Sequence, residues 1–224
     1  MSTLHDFDLA RELSLMTPAQ RDAFVLSLTP TEQRLLLVSK APWLRPSQRL
    51  ADLVEAGHWD TILVTAGRGF GKTLAGGIGG VHEIAMRRPH LAGGRGTGKR
   101  PGEGCEIGIA GRTHRDVIET MLRGPSGLLT SVPPEEAPSL NLQHGTLVWP
   151  NGARARLMSG DTPESFRGPN FGLLWADELA HWIRAQASWD MAQMALRHGP
   201  RPVAIVTTTP IGSPLILSVA YDCD

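Results

Sequence analysis

Little in this sequence serves crosslinking, metal clusters or membranes. Two cysteines, Cys105 and Cys223, stand far apart; they are too few for a disulfide framework, and no Cys/His cluster has zinc spacing. No run of 18 apolar residues is present, so no segment is suited to cross a bilayer as a helix. The N-terminus, MSTLHDFDLARELSL, carries acids early and lacks a cleavable apolar core, which excludes a secretory signal. These features imply a reducing, cytosolic setting. An excess of one charge is also missing. The 22 basic and 22 acidic residues cancel, which excludes a uniformly basic nucleic-acid coat but leaves room for a local basic patch. Lysine is scarce: only Lys40, Lys72 and Lys99. What is present is core material. Over 224 residues, 41% are hydrophobic and 20% charged, which suits one packed domain with a small appendage.

Residues 1–40 read as that appendage. Thr17-Pro18-Ala19-Gln20 and Thr29-Pro30-Thr31-Glu32 share one form: Thr as N-cap, Pro at the first helical position, Gln or Glu three residues after the cap. Residues 41–214 read as the main domain. Apolar runs at 61–65, 105–110, 171–176 and 203–207 read as strands, alternating with helical stretches at 72–88, 115–122 and 180–198. Such alternation predicts an α/β fold with a mainly parallel sheet flanked by helices. Asn151-Gly152, between 146–149 and 153–158, reads as a type I′ hairpin turn. The proline-rich stretch 124–139 reads as a connecting loop.

The central signal is Ala66-Gly67-Arg68-Gly69-Phe70-Gly71-Lys72-Thr73, placed directly after a strand and opening a helix. Glycines let backbone N–H groups turn inward around anionic oxygens, and the helix N-terminus adds partial positive charge. Lys72 reaches the β and γ phosphates of a nucleotide, and the Thr73 hydroxyl suits Mg²⁺. Ala66 departs from the usual first glycine of this motif. A second match, Gly93 through Lys99, is a decoy: Arg100 replaces the metal-binding hydroxyl, Pro101 follows, and no strand precedes it. Gly76, Gly77, Gly79 and Gly80 inside the following helix are unfavourable by propensity and imply close backbone packing.

Asp177 and Glu178 end an apolar run. In a P-loop ATPase the first acid of such a pair holds Mg²⁺, and the second orients and deprotonates the attacking water. Thr207, Thr208 and Thr209 end the next strand, where hydroxyls sense the γ-phosphate. Arg68, Arg112 and Arg167 are candidates to neutralise charge on the transferred phosphoryl group, with Arg68 best placed. Gln48, upstream of the first strand, suits an adenine edge or a plain helix surface. Arg87, Arg88, Arg95, Lys99 and Arg100 form a local basic stretch suited to DNA phosphates.

With these residues in place, the chain resembles the ATPase domain of the large subunit of tailed-phage terminases, particularly the branch shared with gene-transfer-agent packaging proteins. The resemblance is carried by Gly67 to Thr73, Ser165-Phe166-Arg167-Gly168-Pro169, Trp175 to Trp182, and Thr207-Thr208-Thr209-Pro210, over about residues 42–214. That family tolerates the replaced glycine. The resemblance implies a P-loop NTPase, RecA-like, of the additional-strand, catalytic-glutamate type. It implies an ATP- and Mg²⁺-dependent motor that moves double-stranded DNA into a procapsid in the host bacterial cytoplasm. Its partners would be a small terminase subunit, the portal protein and further copies in a ring. Lys72 and Thr73 carry over as nucleotide and metal ligands, Asp177 and Glu178 as metal-coordinating and catalytic acids, Thr207 to Pro210 as the coupling motif, and Gln48 as the adenine motif. Such terminases continue into a nuclease domain. Residues 215–224 read as a truncated tail, so DNA cleavage is not expected of this polypeptide. A helicase fragment, or a nucleotide-binding remnant without turnover, are the alternative readings.

Overall fold

The computed structural model of the chain describes residues 9–221. Its strands are β1 (Thr61–Thr65), β2 (Glu106–Gly111), β3 (Ser139–Asn141), β4 (Thr146–Val148), β5 (Arg154–Ser159), β6 (Leu173–Asp177) and β7 (Val203–Thr208). They form one sheet in the order β1-β7-β6-β2-β5-β4-β3. The first five in that order run parallel, and β4 and β3 close one edge as antiparallel strands. Parallel neighbours need crossovers, so helices cover both faces. Alternation along the central strands feeds two cores. Leu173, Trp175, Val203 and Ile205 meet Ala75, Ile78 and Ile84 on one side, while Leu174, Ala176, Ala204 and Val206 meet Trp182, Trp189 and Leu215 on the other. Burial on both faces is why these strands read as unbroken apolar runs.

Strand β7 is inserted between β1 and β6. The register sets Thr65 beside Thr208 and Asp177 beside Thr207. The carboxyl ends of three strands therefore make one level rim, the usual place for a ligand on an open parallel sheet.

The helix after the phosphate loop is continuous but changes pitch: Lys72–Leu74, then a π stretch Ala75–His82, then Glu83–Arg87. Its glycines are explained by contact. A Cβ on Gly76 would stand 2.2 Å from Trp175 Nε1, and one on Gly79 would stand 1.8 Å from the Gln48 carbonyl oxygen. The helix backbone lies directly on the sheet and on the segment before β1.

Both expected capping boxes form, at Thr17 with Gln20 and Thr29 with Glu32. They start helices Pro18–Ser27 and Pro30–Val38, neither of which buries any residue. A first helix, Leu9–Leu15, inserts Leu9. The appendage is tied down by the Lys40 N–H to the Ser131 carbonyl, 3.0 Å, and by an exposed Arg34–Glu135 pair.

Three expectations change. The hairpin loop is not type I′: Gly152 has φ +96°, but Asn151 has no positive φ. Pro150 fixes the preceding dihedral, and the Gly152 N–H closes a turn on the Trp149 carbonyl, 2.9 Å. Strand β3 begins at Ser139, inside the stretch read as loop. The stretch read as a helix over 180–198 is a 3₁₀ turn, Leu179–His181, and a helix, Ala185–Ala195. Beyond β7, helix Pro214–Tyr221 packs Leu215 and Ile216 into the second core.

Candidate functional site

The loop after β1 turns on Gly69 (φ +86°) and Gly71 (φ +83°), conformations that favour glycine. A Cβ on Gly67 or Gly69 would meet nothing within 4 Å, so the loop is open at both positions. Below it lies Gln48, 4% exposed. Its Nε2 donates to the Phe70 carbonyl, 2.7 Å, and its Oε1 accepts from the Arg45 N–H, 3.0 Å. Arg45 donates to the same carbonyl and lies 5.0 Å from the Phe70 ring centroid. Gln48 and Arg45 brace the loop from beneath, and both ends of the Gln48 amide are engaged within the protein.

Lys72 is buried. Its ammonium donates to the Ala66 carbonyl, 2.9 Å, and to Thr209 Oγ1, 3.3 Å, and stands 3.5 Å from Glu178 Oε1. Thr73 follows on the first helical turn, half-buried. Opposite, the Glu178 carboxylate accepts from the Thr209 N–H, 2.9 Å, and from the Thr209 hydroxyl, 3.0 Å. Thr209 thus bridges the lysine and the glutamate, which strand order alone makes possible. Glu178 has φ +51°, the one non-glycine positive φ among the described residues. Such left-handed strain, on the order of 1–3 kcal/mol, is concentrated at functional sites. It turns Glu178 away from the strand so that adjacent acids point differently.

Asp177 is 7% exposed. Its Oδ1 accepts from the Thr207 hydroxyl, 2.5 Å, whose oxygen accepts from the Trp175 indole N–H, 2.9 Å. The Trp182 indole N–H holds the Asp177 carbonyl, 3.0 Å. Burial pushes the Asp177 carboxyl up to about 6; the Glu178 charge adds to this, and Thr207 and Lys72 oppose it. Such an acid is suited to receive a cation, which would favour its ionised form. No cluster of three or more His, Cys, Asp or Glu residues suited to a metal occurs among the described residues. The Thr73 hydroxyl and the Asp177 carboxyl are oxygen donors of the kind Mg²⁺ takes beside phosphates and water.

The arginines separate. Arg68 is exposed on the loop. Arg112, just past β2, pairs with Asp161 at 3.2 Å. Arg167 is exposed after the 3₁₀ turn Pro163–Phe166. Thr208 offers its hydroxyl to the chain beyond Glu178, with the Ala180 N–H at 3.4 Å. Three of the five bases in the basic stretch are paired with acids, and Lys99 and Arg100 are exposed. Arg87 pairs with Glu136 (3.0 Å), Arg88 with Asp52 (2.7 Å) and Glu55 (3.0 Å), and Arg95 with Glu103 (3.2 Å). The acids come mostly from other segments, so sequence proximity of the bases did not show their neutralisation. The decoy Gly93–Lys99 follows the turn Pro89–Ala92 and leads to the amino end of β2, away from the rim.

Sequence reasoning assigned no role to Trp175, Arg45 or His181. The first two act across 32 and 25 positions and leave no local signal. His181, with Nε2 3.6 Å from Glu178 Oε2, lies three residues on and was detectable by spacing.

A family model described as terminase large subunit, T4likevirus-type, N-terminal, matches residues 63–218. No curated protein matches the chain. Among solved structures, the large terminase ATPase domain of Thermus phage P74-26 is 18% identical with a TM-score of 0.51, over 84% of this chain and 72% of that one. The large terminase of the thermophilic bacteriophage D6E is 15% identical with a TM-score of 0.56, over 78% of this chain and 41% of that one. The HK97 bacteriophage large terminase is 18% identical with a TM-score of 0.53, over 80% of this chain and 36% of that one. The chain therefore spans well under half of the latter two proteins. The shared fold is the RecA-like P-loop type, a mostly parallel seven-stranded sheet flanked by helices.

Proposed function

The chain belongs to the T4likevirus-type family of terminase large subunits, as their N-terminal part, and from that premise we propose that it is the ATP-hydrolysing motor that drives double-stranded DNA into a procapsid. The observation that carries this reading is the meeting of Lys72, Thr209 and Glu178 on one rim. Gly67, Gly69, Phe70 and Gly71 offer backbone N–H groups to the triphosphate, and Lys72 exchanges its protein partners for β- and γ-phosphate oxygens. Thr73 and Asp177 would hold Mg²⁺, whose charge would offset that of the triphosphate. As Lys72 turns to the phosphates it gives up its ion pair with Glu178, which then accepts the proton of the attacking water. Arg68 neutralises charge growing on the transferred group. Thr207, Thr208 and Thr209 report loss of the γ-phosphate along β7. Gln48 holds the loop in shape beneath the nucleotide. Portal, small subunit and neighbouring copies complete the machine in the cytoplasm of the infected cell. Among the described residues no helix is long and apolar enough to cross a membrane.

The test is Mg·ATP turnover. In Glu178→Gln turnover falls on the order of 100-fold or more, the usual range for a lost general base, while nucleotide still binds. Lys72→Ala loses both. Wild-type turnover in both variants would refute the assignment.

A further inference from the structure

Strands β4 and β3 and the start of β5 bury only one side; farther along β5, Met158, on the Arg156 side, enters the second core. Ala155, Leu157 and Leu147 face the first core, with Leu140 packed against it. On the other side the register sets Arg154 beside Val148 and Val148 beside Ser139, then Arg156 beside Thr146 and Thr146 beside Asn141. Directly paired residues share a face. These six side chains form the outer surface of the edge, and all are exposed or half-exposed.

Two depressions meet at Leu142. One, of about 510 Å³, runs over Ser139, Asn141 and Thr146; the other, of about 460 Å³, runs over Arg156, His114, His144 and Ser165. No carboxylate lines either. Arg156 sits between Gly108 on β2 and Thr146 on β4, so its sheet neighbours bring no acid. Arg154 lies directly beside Glu106, whose charge tempers Arg154 and, to a smaller extent, Arg156. Nearby acids are turned elsewhere: Asp116 accepts from its own cap, Thr113, at 2.8 Å, and Glu164 lies 3.9 Å from Arg184.

We propose that this face is where the motor grips duplex DNA, with Arg156 as the anchor on the phosphodiester backbone and Arg154, His114, His144 and Ser165 along its track. The inference rests on the motor reading above. An elongated groove with cationic and neutral donors suits an extended polyanion better than a compact one. Phosphate contacts carry no sequence information, as a packaging substrate of arbitrary sequence requires.

The experiment is a salt titration of this chain on a fluorescent random-sequence duplex. Arg156→Ala lowers the slope of log affinity against log salt by about 0.9, and the Arg154→Ala, Arg156→Ala double variant by about twice that. Arg156→Lys keeps the slope. DNA-free Mg·ATP turnover stays at wild-type level in Arg156→Ala, which shows an intact fold. A wild-type slope in the double variant overturns the proposal. So does a wild-type chain that hydrolyses ATP yet has no affinity for the duplex, and in that case the motor reading stands. Wild-type turnover in Lys72→Ala and Glu178→Gln would instead remove the motor reading itself.

Discussion

Asp177 bears the electrostatic cost of burial. Its carboxyl is almost fully enclosed and titrates at about 6 in the folded chain, against about 4 when unfolded. Between those values the folded chain binds more protons than the unfolded one, so stability falls as pH rises through the window. Above pH 6 the full penalty applies, on the order of 3 kcal/mol. Below pH 4 the acid is protonated in both states and the penalty vanishes. Asp177→Asn removes the charge and keeps an oxygen to accept from the Thr207 hydroxyl. In chelator at pH 8 this variant unfolds at higher urea than wild type, and the difference closes by pH 4. Equal midpoints at pH 8 would show that Asp177 is not strained by burial.

The helix from Lys72 to Arg87 shows why an element's glycines cannot be judged by propensity. At an open helical position, alanine for glycine gains up to about 1 kcal/mol. Gly77 is buried but has room for a methyl group: an added Cβ would meet Trp175 at 3.4 Å, an ordinary contact. Gly79 is the opposite, because its Cβ would fall on the rigid Gln48 carbonyl. Gly79→Ala therefore destabilises by about 1–3 kcal/mol or more, whereas Gly77→Ala is neutral or stabilising. Urea unfolding of the two variants decides it, and equal effects would refute the close approach. Much of the element structure was legible in the sequence because its causes are local. Thr17 with Gln20 and Thr29 with Glu32 announce helix starts over three residues. The phosphate loop and the acid pair are likewise contiguous. The glycine run signalled close packing without saying against what, since Trp175 and Gln48 arrive from other segments. The hairpin misled because Asn-Gly outweighed Pro150 in the reading. The neutralised Arg88 and the uncovered Arg156 were invisible for one reason: both depend on which strands and helices stand beside them.

Across the whole molecule, burial is distributed in two tiers, and stability should follow it. Every residue of β6 and β7 is buried, and their amides are paired inside a five-strand parallel array with cores on both faces. No local opening exposes them without dissolving both cores. The helices Pro18–Ser27 and Pro30–Val38 bury none of their residues and leave Leu26 80% and Leu37 86% exposed. Their capping boxes stabilise each start by about 1 kcal/mol, but isolated helices of this length are marginal in water. Protection from hydrogen exchange tracks the free energy of the opening that exposes each amide. Amides in β6 and β7 should therefore exchange only with global unfolding, and their rates should respond fully to dilute denaturant. Amides of residues 18–38 should exchange orders of magnitude faster, with little denaturant dependence, because their opening exposes almost no new surface. Deleting Leu9's contact, as in Leu9→Ala, should speed exchange in the appendage and leave β6 and β7 untouched. If the two tiers instead exchanged at one rate, the appendage would be part of the cooperative core, and the burial pattern would not govern stability.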